Sequence, residues 1–431
     1  MQPGDCKTIL LLTITALAAA LLPIVQGAAP AAPVATWPQW GGPHRNFTVD
    51  ASGLAETWPP EGPRRIWSRP LGEGYSAISV VDGRLFTMLR RGEQEVAVAL
   101  DAATGKTIWE YAYDAPFSAE YSMENGPGPH AEPLVAGGRV FTTGATGILH
   151  ALDAATGKVL WSHNLLAEYN GTLRVNGYAC SPIAYGDTVI VMVGGAGHAV
   201  MAFRQSDGAV AWQSQDFDNS ASSPLLINVD GQDQLVAFLF ADIVGLDPRN
   251  GALLWSHAHR TGYGLNVTMP VWGGDNLLFL SSTYGGGSRA LRLTQSGGKT
   301  KVEEVWAHNL MRVHFTNVVR IGDVVYGSSG DFGPAPLTAL NVKTGNVVWR
   351  HRGMARASLL AVGPRLIALD EDGALVLATP TAEGLQVHSR VALMDNNAWT
   401  APTLVGTTLY VRDRKNILAL DLGNQNKDQL P

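Results

Sequence analysis

The 431-residue sequence contains little cysteine and few charged residues. Its cysteines are Cys6 and Cys180, and we expect Cys6 to leave with an N-terminal signal, so the mature chain would have one thiol and no internal disulfide. Charged residues make up 16%, and the formal net charge of -6 disfavours a nucleic-acid-binding surface, which would be basic. The sequence also contains no CxxCH motif, which excludes a covalent haem attachment site of that type.

Residues 1–28 resemble a secretory signal peptide. Lys7 precedes an apolar run from Ile9 to Val25, and small residues follow from Gly27. A membrane anchor is the alternative, because the run is almost long enough to span a bilayer. Pro23 and the Ala/Pro-rich stretch behind it favour cleavage. We therefore expect a periplasmic or secreted protein that does not span the membrane once the signal is removed.

The remaining chain divides into three segments. Residues 29–64 contain an Ala/Pro linker and then a Trp-rich leader, WPQWGGPHRNF, whose glycines and prolines are incompatible with a helix or a central strand. We expect the leader to pack its tryptophans over one face of the domain. Residues 65–421 form the repeat domain, and residues 422–431 form a C-terminal tail.

One sequence pattern recurs along the repeat domain. Ala151–Ser162 (ALDAATGKVLWS) nearly duplicates Ala99–Glu110 (ALDAATGKTIWE), and looser copies follow. His388 takes the place of the tryptophan in a degenerate eighth copy. Recurrence at this period indicates a repeat architecture. Successive tryptophans of the pattern are 42 to 52 residues apart, and they are Trp67, Trp109, Trp161, Trp212, Trp255, Trp306 and Trp349.

Each repeat contains four short runs rich in Val, Ile, Leu and Phe, bounded by Gly, Asp and Asn, which is the signal for strands joined by tight turns. Four strands per repeat predict an all-β, eight-bladed β-propeller with four-stranded antiparallel blades. Each Trp supplies a large ring to bury between neighbouring blades. The strand at Trp67 lacks preceding partners, and the strand ending at Asp421 lacks a following one. Both termini are therefore expected to complete one blade.

The pattern A-x-D-x-x-x-G-K-x-x-W resembles the tryptophan-docking repeat of the pyrroloquinoline-quinone-like (PQQ-like) propeller family. That family includes the quinoprotein alcohol dehydrogenases and the non-enzymatic BamB-type assembly factors. The leader WPQWGGP resembles the start of secreted bacterial members. The resemblance covers about residues 65–421 and implies the propeller fold. WD repeats are disfavoured, because Asp never follows the Trp of the pattern here.

The sequence departs from both branches of that family. The dehydrogenases resembled carry a vicinal cysteine pair and bind calcium through a Glu, an Asn and an Asp, and the assembly lipoproteins carry a lipidated Cys; this sequence has neither cysteine feature. We therefore predict a monomeric, non-catalytic binding or scaffolding propeller without a cofactor. Its protein or polysaccharide partner would bind at the channel face or along a blade edge. The alternative is a PQQ- and calcium-dependent alcohol or sugar dehydrogenase.

Candidate site residues lie in the loops that join the last strand of one blade to the first strand of the next, because these loops surround the channel. Under the dehydrogenase alternative, Glu124, Asn125, Asn176 and Asn397 are the first candidates for contacts with PQQ or calcium. The competing interpretation is that such side chains only satisfy the loop backbone. We assign no catalytic residue and no metal ligand. The other polar or aromatic residues of these loops include Tyr178, Asn219, Ser220, Tyr263, Asn266, His314, Asn317, Arg356 and Trp399.

Overall fold

The computed structural model describes residues 36–117, 126, 128–173, 175–331, 333 and 335–424, together with Met1. Apart from Met1, these residues belong to a single unit, Ala35–Pro431. The described part contains strands and one short helix, α1 (Leu165–Tyr169). None of its helices has the length and apolar character that crossing a bilayer would require.

The strands form eight sheets, which are the blades of a propeller. Two strands come before blade 1, namely β1 (Thr48–Val49) and β2 (Arg64–Pro70). Blade 1 contains β3 (Ser79–Val81), β4 (Arg84–Arg91), β5 (Gln94–Asp101) and β6 (Thr107–Asp114). Blade 2 contains β7 (Leu134–Ala136), β8 (Arg139–Thr143), β9 (Ile148–Asp153) and β10 (Val159–Asn164). Blade 3 contains β11 (Ile183–Tyr185), β12 (Thr188–Met192), β13 (Val200–Arg204) and β14 (Val210–Ser214).

Blades 4 to 6 repeat the same plan. Blade 4 contains β15 (Leu225–Val229), β16 (Gln232–Phe238), β17 (Asp242–Leu246) and β18 (Leu253–Ala258). Blade 5 contains β19 (Val271–Trp272), β20 (Leu277–Ser282), β21 (Gly287–Ser296) and β22 (Lys299–His308). Blade 6 contains β23 (Val319–Ile321), β24 (Val324–Ser328), β25 (Leu337–Asn341) and β26 (Val347–His351).

The last two blades include strands from the N-terminal segment. Blade 7 contains β27 (Ala357–Val362), β28 (Arg365–Asp370), β29 (Ala374–Pro380) and β30 (Leu385–Ala392), and β1 adds a fifth strand, parallel to β27. Blade 8 contains β31 (Thr403–Val405), β32 (Thr408–Arg412) and β33 (Asn416–Asp421), and β2 completes it by pairing antiparallel with β33. The all-β, eight-bladed fold predicted from the repeats is confirmed, and both ends of the chain build its closing blade.

The first strand of each blade lies at the centre of the ring. First strands of adjacent blades contact each other, as β3 does with β7 and β23 with β27. The second and third strands are mostly buried, whereas the fourth strands alternate between buried and exposed residues and form the outer wall. A sheet buried on both faces needs neighbours on each side, and the closed ring supplies them.

The repeat tryptophans pack against the next blade. The indole N–H of Trp109 donates to the carbonyl of Ala154 at 3.1 Å, and Trp67, Trp161, Trp212, Trp306 and Trp349 make the same kind of bond. The glycine of the Thr-Gly turn makes room for the ring: a Cβ at Gly157 would lie 2.6 Å from Trp109. Trp255 differs, because it donates to Gln234 within its own blade at 2.7 Å.

In blade 7 the residue equivalent to the docking Trp is one position later than the repeat pattern predicted, at Ser389 and not at His388. In the other blades the Trp pairs with a small residue of the third strand, as Trp109 does with Ala99. In blade 7 the residue at that register is Ser389, opposite Leu377, and His388 is the bulge residue before it. A short pattern cannot reveal this shift, because the bulge is defined by cross-strand pairing.

The sequence suggested that the leader packs over one face of the domain. The leader instead occupies the centre of the ring. Trp37 exchanges backbone hydrogen bonds with Val80 of blade 1. The Arg45 guanidinium is buried and donates to the carbonyls of Ser181, Pro182 and Pro224, in blades 3 and 4. Since β1 then joins blade 7, the leader crosses the propeller axis and plugs the channel.

Candidate ligand site at the channel mouth

A cavity of about 210 Å³ opens at the mouth of the channel, on the face where the inter-blade loops run. We call it the funnel. Trp40 of the leader forms part of its lining, so the plug closes the funnel from below. The remaining described lining residues come from loops between blades and are Tyr75, Gly126, His130, Asn176, Gly177, Ala179, Ser181, Ala221, Ser223, Leu265, Val267, His314, Phe315, Trp399 and Thr400.

Aromatic rings from different loops form a continuous arc around the funnel. Tyr75 stacks on His130 with ring centroids 5.9 Å apart and on Trp399 at 4.9 Å. Phe315 packs on the other side of this group, 4.6 Å from Trp399, and contacts His314 at 5.2 Å. We call these five residues the aromatic arc. Stacked and edge-on rings at these spacings attract one another, so the arc is a preformed surface.

Polar contacts behind the arc fix its rings in place. The Trp399 indole donates to a Glu371 carboxylate oxygen at 3.2 Å, and the Arg356 guanidinium pairs with the same oxygen at 3.3 Å. The guanidinium also lies over the Phe315 ring, 4.9 Å from its centroid, which is cation–π geometry. The Thr400 hydroxyl donates to the Tyr75 carbonyl at 2.9 Å. The charges therefore stabilise the arc from behind and are absent from the described lining.

The leader forms the floor of the funnel. Trp40 packs edge-on against Phe47 with ring centroids 4.9 Å apart. Arg45 anchors the segment below through its three carbonyl acceptors, as described above. Burial raises the pKa of nearby Glu132 well above its usual value, and this carboxyl group accepts a hydrogen bond from the Ser79 hydroxyl. Burial favours the neutral form of this carboxyl group, since an ionised carboxylate is costly in such surroundings, while the nearby Arg45 charge opposes the shift.

The described lining of the funnel is electrically neutral near pH 7. Its described lining contains no Asp, Glu, Lys or Arg. Burial lowers the pKa of His130 to about 4, and the bond between its Nε2 and the Asn176 carbonyl, 3.1 Å long, only partly opposes this effect. Burial and the nearby Arg356 together lower the pKa of His314 to about 4. Both imidazoles are therefore uncharged at neutral pH.

The four cofactor-binding candidates predicted from the sequence differ in where they lie. Glu124 and Asn125 lie outside the described residues. Asn176 lines the funnel with an exposed side chain. Asn397 lies at the rim, where its side chain hydrogen-bonds with Tyr75 and its carbonyl accepts from the Arg414 backbone. A cofactor-binding role for these residues stays a prediction.

Several other loop residues serve the protein backbone. The Tyr178 hydroxyl donates to the Met192 carbonyl at 2.6 Å, and the Asn266 amide donates to the Leu239 carbonyl at 2.7 Å. Asn317 bridges two blades, donating to the Leu359 carbonyl and accepting from the Leu359 N–H. These contacts match the interpretation in which loop polar groups satisfy buried backbone atoms.

Sequence reasoning missed Tyr75, Ser223, Phe315 and Thr400. Each lies within a few residues of the first strand of a blade, where the chain enters the ring. That position is a usable signal, because the first strands surround the axis and the residues just before them must face the channel mouth. Trp40 gave no such signal, since the leader lies outside the repeats.

The described lining does not fit calcium and PQQ. Its side-chain oxygens are the Asn176 amide and the hydroxyls of Tyr75, Ser181, Ser223 and Thr400, whereas calcium takes roughly six to eight oxygens with carboxylates among them. PQQ carries three carboxylates, and the described lining offers no cationic side chain to bind them. Among the described residues, no group of three or more His, Cys, Asp or Glu is placed to hold a metal ion.

Two histidines of blade 4, His257 and His259, are close in sequence but make separate contacts. His257 Nε2 lies 2.9 Å from a Glu304 carboxylate oxygen. His259 is fully buried and packs edge-on against Phe238, with ring centroids 5.1 Å apart. Neither ring nitrogen of His259 has a hydrogen-bond partner.

These features define a PQQ-like, eight-bladed propeller with a plugged channel. The model of the family described as "Outer membrane protein assembly factor BamB" matches residues 93–351, and the chain belongs to this family. BamB of Salmonella typhimurium is 26% identical over 330 residues, which cover 73% of this chain and 78% of BamB. BamB of Escherichia coli is 26% identical over 327 residues, with the same coverage of both chains.

Solved structures agree on the fold. The crystal structure of BamB from Moraxella catarrhalis superposes with a TM-score of 0.58 at 19% identity, covering 84% of this chain and 98% of that one. The quinohemoprotein alcohol dehydrogenase from Comamonas testosteroni gives a TM-score of 0.64 at 14% identity, covering 93% and 82% of the two chains. At these identities the structural similarity establishes architecture alone, because one fold supports many functions.

Proposed function

We propose that this protein is a non-catalytic binding and scaffolding propeller and that the funnel is its ligand site. The observation that carries the proposal is the funnel itself: a cavity with an aromatic wall, a floor formed by the leader and no charged side chain in its described lining. Concave sites lined by aromatic side chains with a few polar groups are typical of ligand binding. The relatives named as assembly factors support a binding role over a catalytic one.

We further propose that the protein works in the periplasm or after secretion. The signal-like character of residues 1–28 and the name of the outer-membrane relatives support this location. Cell fractionation of a C-terminally tagged chain, followed by N-terminal sequencing, tests it. We expect a processed chain that begins near Gly27 to Ala29 in the extracytoplasmic fraction. An unprocessed chain in the cytoplasm would contradict the location and leave the binding role standing.

The partner is a protein or a polysaccharide that approaches the channel face. An outer blade edge is a second surface for a protein partner, because a fourth strand such as β6 has an edge to which another strand can add. We favour the channel face because it contains the funnel. Seven of the eight inter-blade connections contribute described residues to the lining of the funnel.

Site-specific photo-crosslinking tests this assignment. A photoreactive amino acid replaces Asn397, an exposed residue at the rim of the funnel, or Lys106, an exposed residue of a turn on the opposite face. We expect discrete crosslinked species from Asn397 in living cells and none from Lys106. Crosslinks from Lys106 alone would move the binding surface to the other face and refute the assignment to the funnel.

The dehydrogenase alternative has a direct test. The purified mature chain is incubated with saturating PQQ and calcium, and dye reduction is followed with alcohols and sugars as substrates. The described lining, which lacks cationic side chains and carboxylates, leads us to expect no co-eluting quinone and no turnover. Tight quinone binding with turnover would replace the scaffold proposal with an enzymatic one.

A further inference from the structure

The plugged channel limits what the funnel can hold. Trp40 forms part of its floor, and Arg45 fixes the leader below with three buried hydrogen bonds. A polymer therefore cannot pass through the ring, and only a small molecule or a projecting end can enter. The cavity of about 210 Å³ is smaller than typical drug-sized sites of roughly 300–1,000 Å³, so it suits a single ring-sized group.

The lining offers ring surfaces to such a group. Trp40, Phe315 and Trp399 line the cavity and are only half-buried, so each ring keeps an exposed part beside the groups that pack on it. The face of an aromatic ring is negative and attracts polarised C–H groups. One face of a pyranose ring presents a cluster of such C–H groups, which makes it a suitable stacking partner.

Neutral hydrogen-bonding groups lie beside these rings. Asn176 contributes an exposed amide with donors and acceptors. The Ser223 hydroxyl accepts from the Ser181 N–H at 3.0 Å and keeps its own hydrogen to donate. His130 donates through Nε2 to a carbonyl, so in the neutral tautomer its Nδ1 is an acceptor. This mixture of neutral donors and acceptors matches sugar hydroxyls, which act as both.

The absence of charge from the described lining argues against other ligands. An anionic sugar or a carboxylate would find no cation there, and a cationic ligand would find no carboxylate. Proline-rich peptides bind along open aromatic grooves as extended helices, whereas Trp40 of the leader lies across this cavity as part of its lining.

We infer that the funnel binds a neutral saccharide, with one sugar ring inserted against the aromatic arc and the Trp40 floor and the rest of the glycan directed to solvent. The inference rests on the proposed function, in which the funnel is the ligand site.

Titration calorimetry on the mature chain tests the inference. The probes are neutral oligosaccharides built from glucose, galactose, mannose and N-acetylglucosamine, with a glucuronic-acid oligomer and a proline-rich peptide as comparisons. We expect saturable binding of at least one neutral glycan and no binding of the uronate or the peptide. Binding of only the peptide or the uronate, or of no neutral glycan, would overturn the inference.

Variants connect the binding to the funnel. Trp399→Ala removes stacking surface and is expected to weaken glycan binding about tenfold or more, while Trp399→Phe retains most of it. Asn176→Ala, at an exposed side chain, is expected to weaken binding about fivefold without a change in thermal midpoint. The matched control is Trp272→Ala, since Trp272 lines a separate cavity with Asn46 and Thr48 of the leader. If all four variants bind the glycan with the affinity of the parent chain, the glycan site lies outside the funnel.

The outcomes separate this inference from the proposed function. Crosslinks from Asn397 to a protein partner, together with no glycan binding, would refute the saccharide and retain the scaffold. Glycan binding that depends on Trp399 supports both. If neither crosslinks nor glycan binding are found, both proposals fail.

Discussion

The glycine of the repeat turn has two physical roles at once. Gly157 has φ of +73°, a conformation that L-residues rarely adopt, and a Cβ there would lie 2.6 Å from the Trp109 ring. Gly105, Gly208 and Gly251 stand in the same relation to the Trp of the preceding blade. The repeated T-G, D-G or N-G step is therefore part of blade docking as well as of the hairpin turn.

Gly157→Ala and Gly138→Ala separate these two roles. Both glycines have nearly equal φ, +73° and +72°, but nothing lies within 4 Å of a Cβ at Gly138. We expect Gly138→Ala to lower the free energy of unfolding by about 1 kcal/mol through backbone strain alone. Gly157→Ala should cost about 1–3 kcal/mol more, because Trp109 must shift. Urea denaturation measures the difference between the two variants. Equal losses of unfolding free energy would show that packing of the Trp109 indole does not depend on Gly157.

Trp255 shows how one blade departs from the rule. The next blade forms a long hairpin, β21–β22, with its turn at Gly297 and Gly298, so the short turn that accepts the other indoles is missing. The indole instead bonds with Gln234 of its own blade. Gly245 stands opposite it where the other blades with a docking Trp have Ala, and a Cβ there would lie only 2.0 Å from the indole nitrogen.

His259 is expected to make the protein acid-sensitive. Burial, with Arg289 and His257 nearby, lowers its pKa from 6.5 to about 3. The unfolded chain therefore binds the proton first as pH falls, so the stability contributed by the neutral ring is present above pH 6.5 and is lost toward pH 3. Between pH 7 and pH 4.5 this group alone should cost roughly 2–3 kcal/mol.

The variant His259→Phe tests this expectation. It keeps an aromatic ring against Phe238 and removes the titrating group, so its unfolding free energy should fall less between pH 7 and pH 4.5 than that of the parent. Urea denaturation at both pH values provides the comparison. An unchanged difference would assign the acid sensitivity to other histidines, such as His130 and His314, whose pKa values are also low.

At the scale of elements, the leader completes the propeller as well as plugging it. Blade 7 has Ser389 where the other blades have the docking Trp. The leader residue Trp58 is buried in the main core, and its N–H donates to the Ser389 hydroxyl at 2.7 Å. A tryptophan from outside the repeats is therefore buried beside the blade that lacks one.

Arg45→Met tests how far the leader supports the fold. The substitution leaves the carbonyls of Ser181, Pro182 and Pro224 without their buried donor. We expect a loss of about 3–5 kcal/mol in unfolding free energy, because three buried carbonyl groups are left without a hydrogen-bond donor. The matched control Arg64→Met removes an exposed pair with Asp421 and should cost about 1 kcal/mol or less. Similar losses in the two variants would mean that the plug contributes little to stability.

At the scale of the whole molecule, the ring is held closed without a disulfide. The β2–β33 pairing joins the two ends of the chain, and Trp67 faces Ala419 across this seam. Arg412 reinforces the neighbouring seam between blades 8 and 1. Its fully buried guanidinium donates to the carbonyls of Gly74, Ser76 and Met88.

Arg412→Met should loosen the ring at this seam. Three carbonyls lose a buried donor, so β2, β3 and β33 should exchange their amide hydrogens faster than the same strands of the parent. Arg204→Met, which removes an exposed pair with Asp207, is the control. Hydrogen-exchange mass spectrometry gives the result by strand. Uniformly faster exchange in all blades would indicate a global loss of stability and no special role for the seam.

The repeat pattern was sufficient to predict eight blades, four strands in each blade and closure by both termini. These features follow from local periodicity: strand runs, turn glycines and tryptophans recur at fixed spacing, and each repeat needs its neighbours to bury its faces. The one-residue shift at His388 lay beyond this reasoning, because cross-strand pairing is not encoded in a single short run.

Tertiary structure alone decided the path of the leader and the composition of the funnel. The leader has no periodicity, and Arg45 finds its acceptors 136 to 179 residues away in sequence. The aromatic arc likewise joins loops from opposite ends of the chain, as Tyr75 and Trp399 do. Contacts of this separation arise only when the ring closes, because closure brings every inter-blade loop to one mouth.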